Sequence, residues 1–289
     1  MHKEKPIANP KEITIRKASG KEEYFSFQKL RNSLLRSHAS HDEAEGILNI
    51  LKSKIYDGIS TKKIYSEAFR LLKRQSPHFA SRYALKKGIM ELGPSGFPFE
   101  KFIGELFKYE GYKTEVGKIL QGRCVTHEID VICKKDDLIM LIECKYKNQA
   151  SVSVDVKVPL YIHSRFQDLL ENNLLAKPTT NFTGWIVTNS RFTDDALTYG
   201  NCRNIQLLGW DYPFKNSLKN RIDESCLYPV TCLSTITINE KKWFLEKGIV
   251  LVSEICANEQ ILLKAGINEK RFNTVLNECQ KLTRYLIEK

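Results

Sequence analysis

The segment Thr126–Lys145, THEIDVICKKDDLIMLIECK, constrains the chain more than any other. Two apolar runs flank a charged break at Lys134–Asp137, which reads as a pair of strands joined by a turn. The first run carries Asp130 and the second ends in Glu143-Cys144-Lys145. Side chains alternate along a strand, so Glu143 and Lys145 share a face. Folding the second strand back brings Glu143 near Asp130. Two carboxylates and an ammonium then meet at the end of an otherwise apolar hairpin, a cluster suited to a hard cation and a phosphate.

The neighbouring patterns extend this hairpin into a sheet. Phe99–Glu110 reads as a helix with Phe99, Phe102, Ile103, Leu106 and Phe107 on one side. A strand near Lys113–Ile119 precedes the hairpin. After it come a helix near Val154–Leu175, a buried strand Gly184–Asn189, a short helix around Thr193–Gly200 and a strand Ile205–Trp210. The order α-β-β-β-α-β-α-β predicts a mixed sheet with helices on its faces.

Upstream, residues 12–27 read as a small hairpin turning at Ser19-Gly20-Lys21. Helices follow from Phe27 to about Ser37, from His41 with Ile47, Leu48, Ile50, Leu51 and Ile55 as its apolar stripe, from a cap at Ser60 or Thr61, and over Pro77–Met90. The run Gly93-Pro94-Ser95-Gly96-Phe97-Pro98 marks a boundary. Residues 222–289 return to helices, with Gly248 and Gly266 at two helix–helix turns. The expected fold class is therefore an α/β multidomain protein. It has a mostly helical N-terminal domain with a small hairpin (1–93), a central mixed β-sheet flanked by helices (94–213) and a small helical C-terminal segment (214–289).

Charge separates these parts. The net +11 is concentrated in residues 1–90, which hold 19 Lys/Arg against 9 Asp/Glu, while the remainder holds 26 against 25. A polyanion partner at the N-terminal part is the expectation, against a merely solvated basic face. The eight cysteines include no C-x2-C pair, which argues against a structural zinc site. They read as reduced core thiols of a cytoplasmic protein. The polar N-terminus has no leader pattern, and no apolar run nears the ~20 residues that span a bilayer.

Four pieces in order, Arg16-Lys17-Ala18-Ser19-Gly20, Phe25-x-Phe27-x-Lys29-Leu30, Asp57-Gly58-Ile59-Ser60-Thr61 and Ser81-Arg82-Tyr83-Ala84-Leu85, resemble the ATP-cone, a small regulatory nucleotide-binding domain. The resemblance covers residues 12–90. It implies that Lys17 and Lys29 contact phosphates and that Thr61 contacts the nucleotide, ATP or dATP, as a regulatory ligand. Two departures stand out: Tyr65 replaces a frequent histidine, and K-A-S-G replaces the usual K-R-D-G. No G-x4-GK[ST] loop is present, so the chain is not a P-loop ATPase.

Glu100 on a helix, Asp130 on a strand and Glu143-x-Lys145 on the next resemble the PD-(D/E)XK nuclease core. GFPFEKFIGELFKYEGYKTE, HEID and IECKY look like its Mrr-like restriction endonuclease and archaeal Holliday-junction resolvase branch, over residues 95–212. The resemblance implies a Mg²⁺-dependent endonuclease. Asp130, Glu143 and the backbone carbonyl of Cys144 would hold the metal. Lys145 would orient or deprotonate the attacking water, and Glu100 would bind a second ion or anchor waters, with Glu105 as its rival. Glu128 shares the parity of Asp130, and His127 faces the other way. Lys157, His163, Arg165 and Gln167 on the following helix are candidate phosphate contacts, each weighed against a solvated helix face. Residues 226–289 resemble paired helix-hairpin-helix units, with packing or dimerisation as the alternative.

The chain thus reads as an endonuclease acting on double-stranded DNA, controlled by nucleotide binding that shifts domain arrangement or homo-oligomeric state. The alternatives are a nucleotide-responsive DNA-binding regulator without catalysis, and an RNA nuclease.

Overall fold

The computed structural model describes residues 13–17, 20–149, 151–172 and 181–287, with side chains to Thr283. The chain divides into two compact units. One is Met1–Leu85 with Leu233–Thr235; the other is Lys86–Cys232 with Ile236–Lys289. The three-part division expected from the sequence is finer than this one.

The first unit begins with β1 (Thr14–Arg16) and β2 (Glu22–Tyr24), paired antiparallel from Thr14↔Tyr24 to Arg16↔Glu22. Ser19 of the expected turn lies outside the described residues. Helix α1 (Phe27–Arg36) starts where Ser26 Oγ accepts the Lys29 amide. A capping box of Ser40 and Glu43 starts α2 (His41–Lys52), with two acids in its first turn. β3 (Ile59–Ser60) pairs parallel with β1 and leads into α3 (Thr61–Gln75), which Ser60 caps.

Ile15, Leu34, Ile47, Leu48, Ile64, Ala68 and Leu72 form the core. Ile50, expected on the buried stripe, is exposed: Ile47, Leu48 and Leu51 fill the inward arc and leave Ile50 outside it. Ile55 is buried, but lies beyond the helix end. The expected fourth helix breaks at Ala84 into α4 (Pro77–Tyr83) and α5 (Leu85–Met90). β3 escaped prediction because two residues show no alternation.

In the second unit α6 (Phe97–Tyr109) buries Phe99, Phe102, Ile103, Leu106 and Phe107, as its spacing predicts. Next come β4 (Lys113–Gln121), β5 (Thr126–Lys135), β6 (Leu138–Lys145), α7 (Lys157–Leu170), β7 (Asn181–Thr188), α8 (Asp194–Cys202) and β8 (Gln206–Leu208). The described residues build a sheet of order β4-β5-β6-β7-β8, antiparallel through β6 and parallel beyond it. Helix α7 is shorter than expected: Val154 sits in an isolated bridge to Phe192, and 173–175 fall outside the described residues. Gly184 lets α7 approach β7, since a Cβ there would stand 2.5 Å from the Phe166 ring.

Helices α9 (Leu218–Ser225), α10 (Ile238–Glu246), α11 (Val252–Ala257), α12 (Ile261–Lys264) and α13 (Glu269–Ile287) complete the unit. Arg221 of α9 donates to Glu110 at the end of α6 at 3.0 Å, and Thr231, between α9 and α10, donates to the Gly88 carbonyl of α5 at 2.7 Å. Gly248 and Gly266 do close two helices, with φ of 72° and 83°. Cys133, Cys144, Cys226, Cys232 and Cys279 are buried. Cys124 and Cys202 are free but exposed, against the expectation of core thiols throughout. Among the described residues no helix is long and apolar enough to cross a membrane.

Candidate active site

The site forms where β5 parts from β6. The ladder between them ends at Val131↔Ile142, so Asp130 is the first residue of β5 outside it. The Cys144 amide there donates to the Asp130 carboxylate at 2.7 Å instead of pairing along the ladder. On the other side of β5, Gly117 occupies the register position opposite Asp130, between Val116↔Val131 and Lys118↔Ile129, and adopts φ 63°. Its backbone loosens β4 at the level of Asp130.

Alternation works as the sequence predicts: Lys145 Nζ contacts Glu143 Oε1 at 2.5 Å. The second oxygen, Oε2, accepts from Arg165 Nη1 at 2.7 Å, and Arg165 also donates to the Glu128 carbonyl. Arg165 comes from α7, across the gap between the strands. Both partners are shielded, with side chains 13% and 6% exposed. Of the four α7 residues considered as phosphate contacts, Arg165 alone reaches the carboxylates. His163 bonds Tyr199, Gln167 bonds His163, and Lys157 lies exposed.

Glu100 completes the cluster from the first turn of α6. Burial raises its pKa to about 7, reinforced by the charges of Asp130, Glu128 and Glu143. Asp130 is raised to about 6 by burial and then by Glu143, against the Cys144 hydrogen bond and the positive charge of Lys145 and Arg165. Glu105, the rival on the same helix, pairs with Lys108 at 3.5 Å and lines a separate groove with Phe97 and Tyr112. Carboxylates crowded enough to hold protons near neutrality mark a place where a cation would be welcome.

The donor set decides which cation fits. The Cys144 thiol is buried and its pKa is raised by that burial, so sulfur stays protonated. What remains is hard oxygen: the Asp130 and Glu143 carboxylates and the Cys144 carbonyl. Among the described residues no group of three or more His, Cys, Asp or Glu side chains forms a cage. Two carboxylates and a carbonyl fit Mg²⁺, which keeps several waters.

Around the cluster, Asn189 clamps the chain after β6, accepting from the Lys147 amide and donating to its carbonyl. His127 faces away from Asp130, as its parity predicts, and bonds Asp168 of α7 at 2.7 Å. That bond, joined by the Cys124 and Val125 amides, holds the Asp168 pKa down to about 2.

In the first unit, Lys29 and Thr61 line one cavity of about 210 Å³ with Tyr24, Phe25, Tyr65 and Tyr83. Lys17 is not among its lining residues; it pairs with Glu23 at 2.6 Å, and Glu23 lines the cavity. At the Gly248 turn, Glu254 Oε2 accepts from the Val250 and Leu251 amides, both at 2.8 Å, which caps α11 and occupies those two amides.

Comparison with known proteins bears on the central sheet and the C-terminal helices. Residues 93–211 match the Mrr_cat family of restriction endonuclease domains. Residues 228–283 match the family described as AF1548-like, C-terminal. An uncharacterized protein of Archaeoglobus fulgidus is 32% identical over 181 residues, which are 62% of this chain and 99% of that protein. The crystal structure of the protein of unknown function AF1548 is similar at a TM-score of 0.54 and 29% identity, over 66% of this chain and all of that one. The MspJI restriction endonuclease, in complex with a 27-mer oligonucleotide, aligns at a TM-score of 0.26 and 13% identity over 64% of this chain and 40% of its own, too little to argue from. The central sheet is thus a restriction-endonuclease-like domain.

Proposed function

The chain belongs to the AF1548-like family, and from that premise we propose that it is a Mg²⁺-dependent endodeoxyribonuclease whose activity is set by a nucleotide. The observation that carries the reading is the convergence of Glu100, Asp130, Glu143 and Lys145 at the opening between β5 and β6, within a restriction-endonuclease-like domain. Asp130, Glu143 and the Cys144 carbonyl would hold Mg²⁺, which when bound polarises the scissile phosphate and acidifies a coordinated water.

The chain's own residues do the rest. Lys145 holds the attacking water in line and offsets charge developing on the phosphate. Arg165 and Lys145 fix the rotamer of Glu143 by taking one carboxylate oxygen each. Glu100, raised to about 7, exchanges a proton with site water near neutral pH.

Regulation is the second part of the proposal. An ATP-cone over residues 12–90 would bind ATP or dATP at Lys17, Lys29 and Thr61 and shift domain arrangement or oligomeric state. Its support is the β1–β2 hairpin leading into α1 and the cavity that Lys29 and Thr61 share.

Plasmid cleavage with and without Mg²⁺ and ATP tests the whole. Asp130→Ala and Lys145→Ala should each abolish Mg²⁺-dependent cutting, and cutting that persists would remove the site assignment. Calorimetry with ATP should show binding that Lys29→Ala with Thr61→Ala abolishes; no heat in the parent removes the cone. One observation favours a second reading, a DNA-binding regulator without catalysis: both oxygens of Glu143 are already held by cationic side chains. It predicts DNA binding that survives Asp130→Ala and no cutting by the parent.

A further inference from the structure

Beyond Asp130, β4 and β5 continue without the rest of the sheet. Their pairing runs on through Lys118↔Ile129, Ile119↔Glu128, Leu120↔His127 and Gln121↔Thr126, while the β5–β6 ladder has already ended at Val131. A two-stranded ribbon therefore projects past the carboxylate cluster. Four paired residues at ~3.4 Å each make it about 14 Å long.

Its two faces differ. On one, Leu120 packs against the core and His127 bonds Asp168, with Ile129 buried between the same layers. Helix α7 and the residue pair after it staple this side. Asp168 also accepts the Cys124 amide at 2.8 Å, and Asn172 donates to the Gln121 carbonyl at 2.7 Å. By alternation the other face carries Ile119, Gln121, Thr126 and Glu128, and Asp130 continues it. All four are exposed, and Ile119 reaches 71%. The tip adds Arg123, its side chain 69% exposed, and Val125 at 57%.

A rigid ribbon that offers a bare isoleucine to solvent on the same face as a catalytic aspartate calls for a partner there. A two-stranded ribbon fits the major groove of B-form DNA, ~12 Å wide and ~8.5 Å deep. The side chains suit its edges: Gln pairs with adenine, Thr with several bases, and an apolar group meets the thymine methyl. Gln121 Nε2 now donates to the Gly122 carbonyl at 2.8 Å, a local bond that a base edge can replace. Glu128, next to Asp130, belongs to the carboxylate end; Arg123 at the far end pairs with Glu171 at 3.0 Å, an exposed contact that a phosphate can replace.

We propose that the β4–β5 ribbon, residues 118–129, enters the major groove of the DNA duplex beside the scissile phosphate and reads bases through Ile119, Gln121 and Thr126. This rests on the duplex-cleaving reading above and adds where its specificity resides.

Two measurements on the full chain test it. In the triple variant Ile119→Ala/Gln121→Ala/Thr126→Ala, all three residues exposed, KM for duplex DNA should rise at least about tenfold with kcat at saturating DNA kept, and the cut positions should spread. An unchanged KM and cut pattern overturns the proposal. Cys124 supplies a readout independent of catalysis, because it is an exposed thiol at the ribbon tip, with exposed Cys202 on α8 as reference. In EDTA, saturating duplex DNA should slow maleimide labelling of Cys124 and not of Cys202. Equal labelling of the two overturns the proposal. So does equal protection by duplex RNA, whose deep, narrow major groove excludes the ribbon. Cys124 protected by DNA in a protein that never cuts supports the ribbon and removes the cleavage reading alone.

Discussion

Replacing Asp130 by asparagine isolates the electrostatic strain of the site. Asparagine keeps an oxygen to accept the Cys144 amide but removes one charge from a crowd of carboxylates. Burial and Glu143 raise the Asp130 carboxyl from the ordinary 3.8 to about 6. About 2 pH units at roughly 1.4 kcal/mol each set a ceiling near 3 kcal/mol. The site opens toward solvent and Lys145 and Arg165 lie close, so screening reduces this to about 1 kcal/mol. Since the folded state holds the proton more tightly than the unfolded chain, ionised Asp130 destabilises the fold fully above about pH 6. That cost fades as pH falls through 6 and is gone below the unfolded value near 4. At pH 8 without Mg²⁺, Asp130→Asn should therefore melt about 2–4 °C above the parent by calorimetry. At pH 5 the gap should shrink. Millimolar Mg²⁺ should raise the parent's melting temperature and leave the variant's unchanged, closing or reversing the gap. A variant no more stable at pH 8, or a gap of the same size at pH 5, refutes the reasoning.

Arg165→Met strips one of two cations from the buried Glu143 carboxylate and should cost about 2–3 kcal/mol in urea titration. Arg165→Lys should recover part of that, and an unmoved midpoint in both would show that the contact contributes nothing. Phe99, fully buried on the inner side of α6, should cost about 3–5 kcal/mol when cut to alanine. A loss under about 1 kcal/mol would mean that α6 is not packed on the sheet as described.

Much of the site was legible without coordinates because it depends on local periodicity. Alternation alone puts Glu143 and Lys145 on one face; the charged break does turn β5 back on β6, but only Asp136 and Asp137 form the turn, because Lys134 and Lys135 stay paired in the ladder. The apolar stripe Phe99–Phe107 orients α6, and glycine is the residue that ends a helix in a left-handed conformation, as at Gly248 and Gly266. The element order around the sheet follows from the same patterns, while most borders move by one to several residues, as for β7 and α7.

Other features were settled only when the layers came together. Glu100 and Glu105 are equivalent by pattern; the rotation of α6 over the sheet sends the first to Asp130 and leaves the second in a separate groove with Phe97 and Tyr112. Arg165 looked like one of several helix-face cations until α7 was placed across the β5–β6 opening. Lys17 carries the same motif weight as Lys29, yet Glu23 holds it while Lys29 lines the cavity with Thr61. The projecting ribbon is invisible in sequence, because both strands keep their alternation through the point where β6 leaves them. Periodicity records which way a side chain points from its own backbone. Which neighbour it meets depends on how separate elements, distant along the chain, pack against one another.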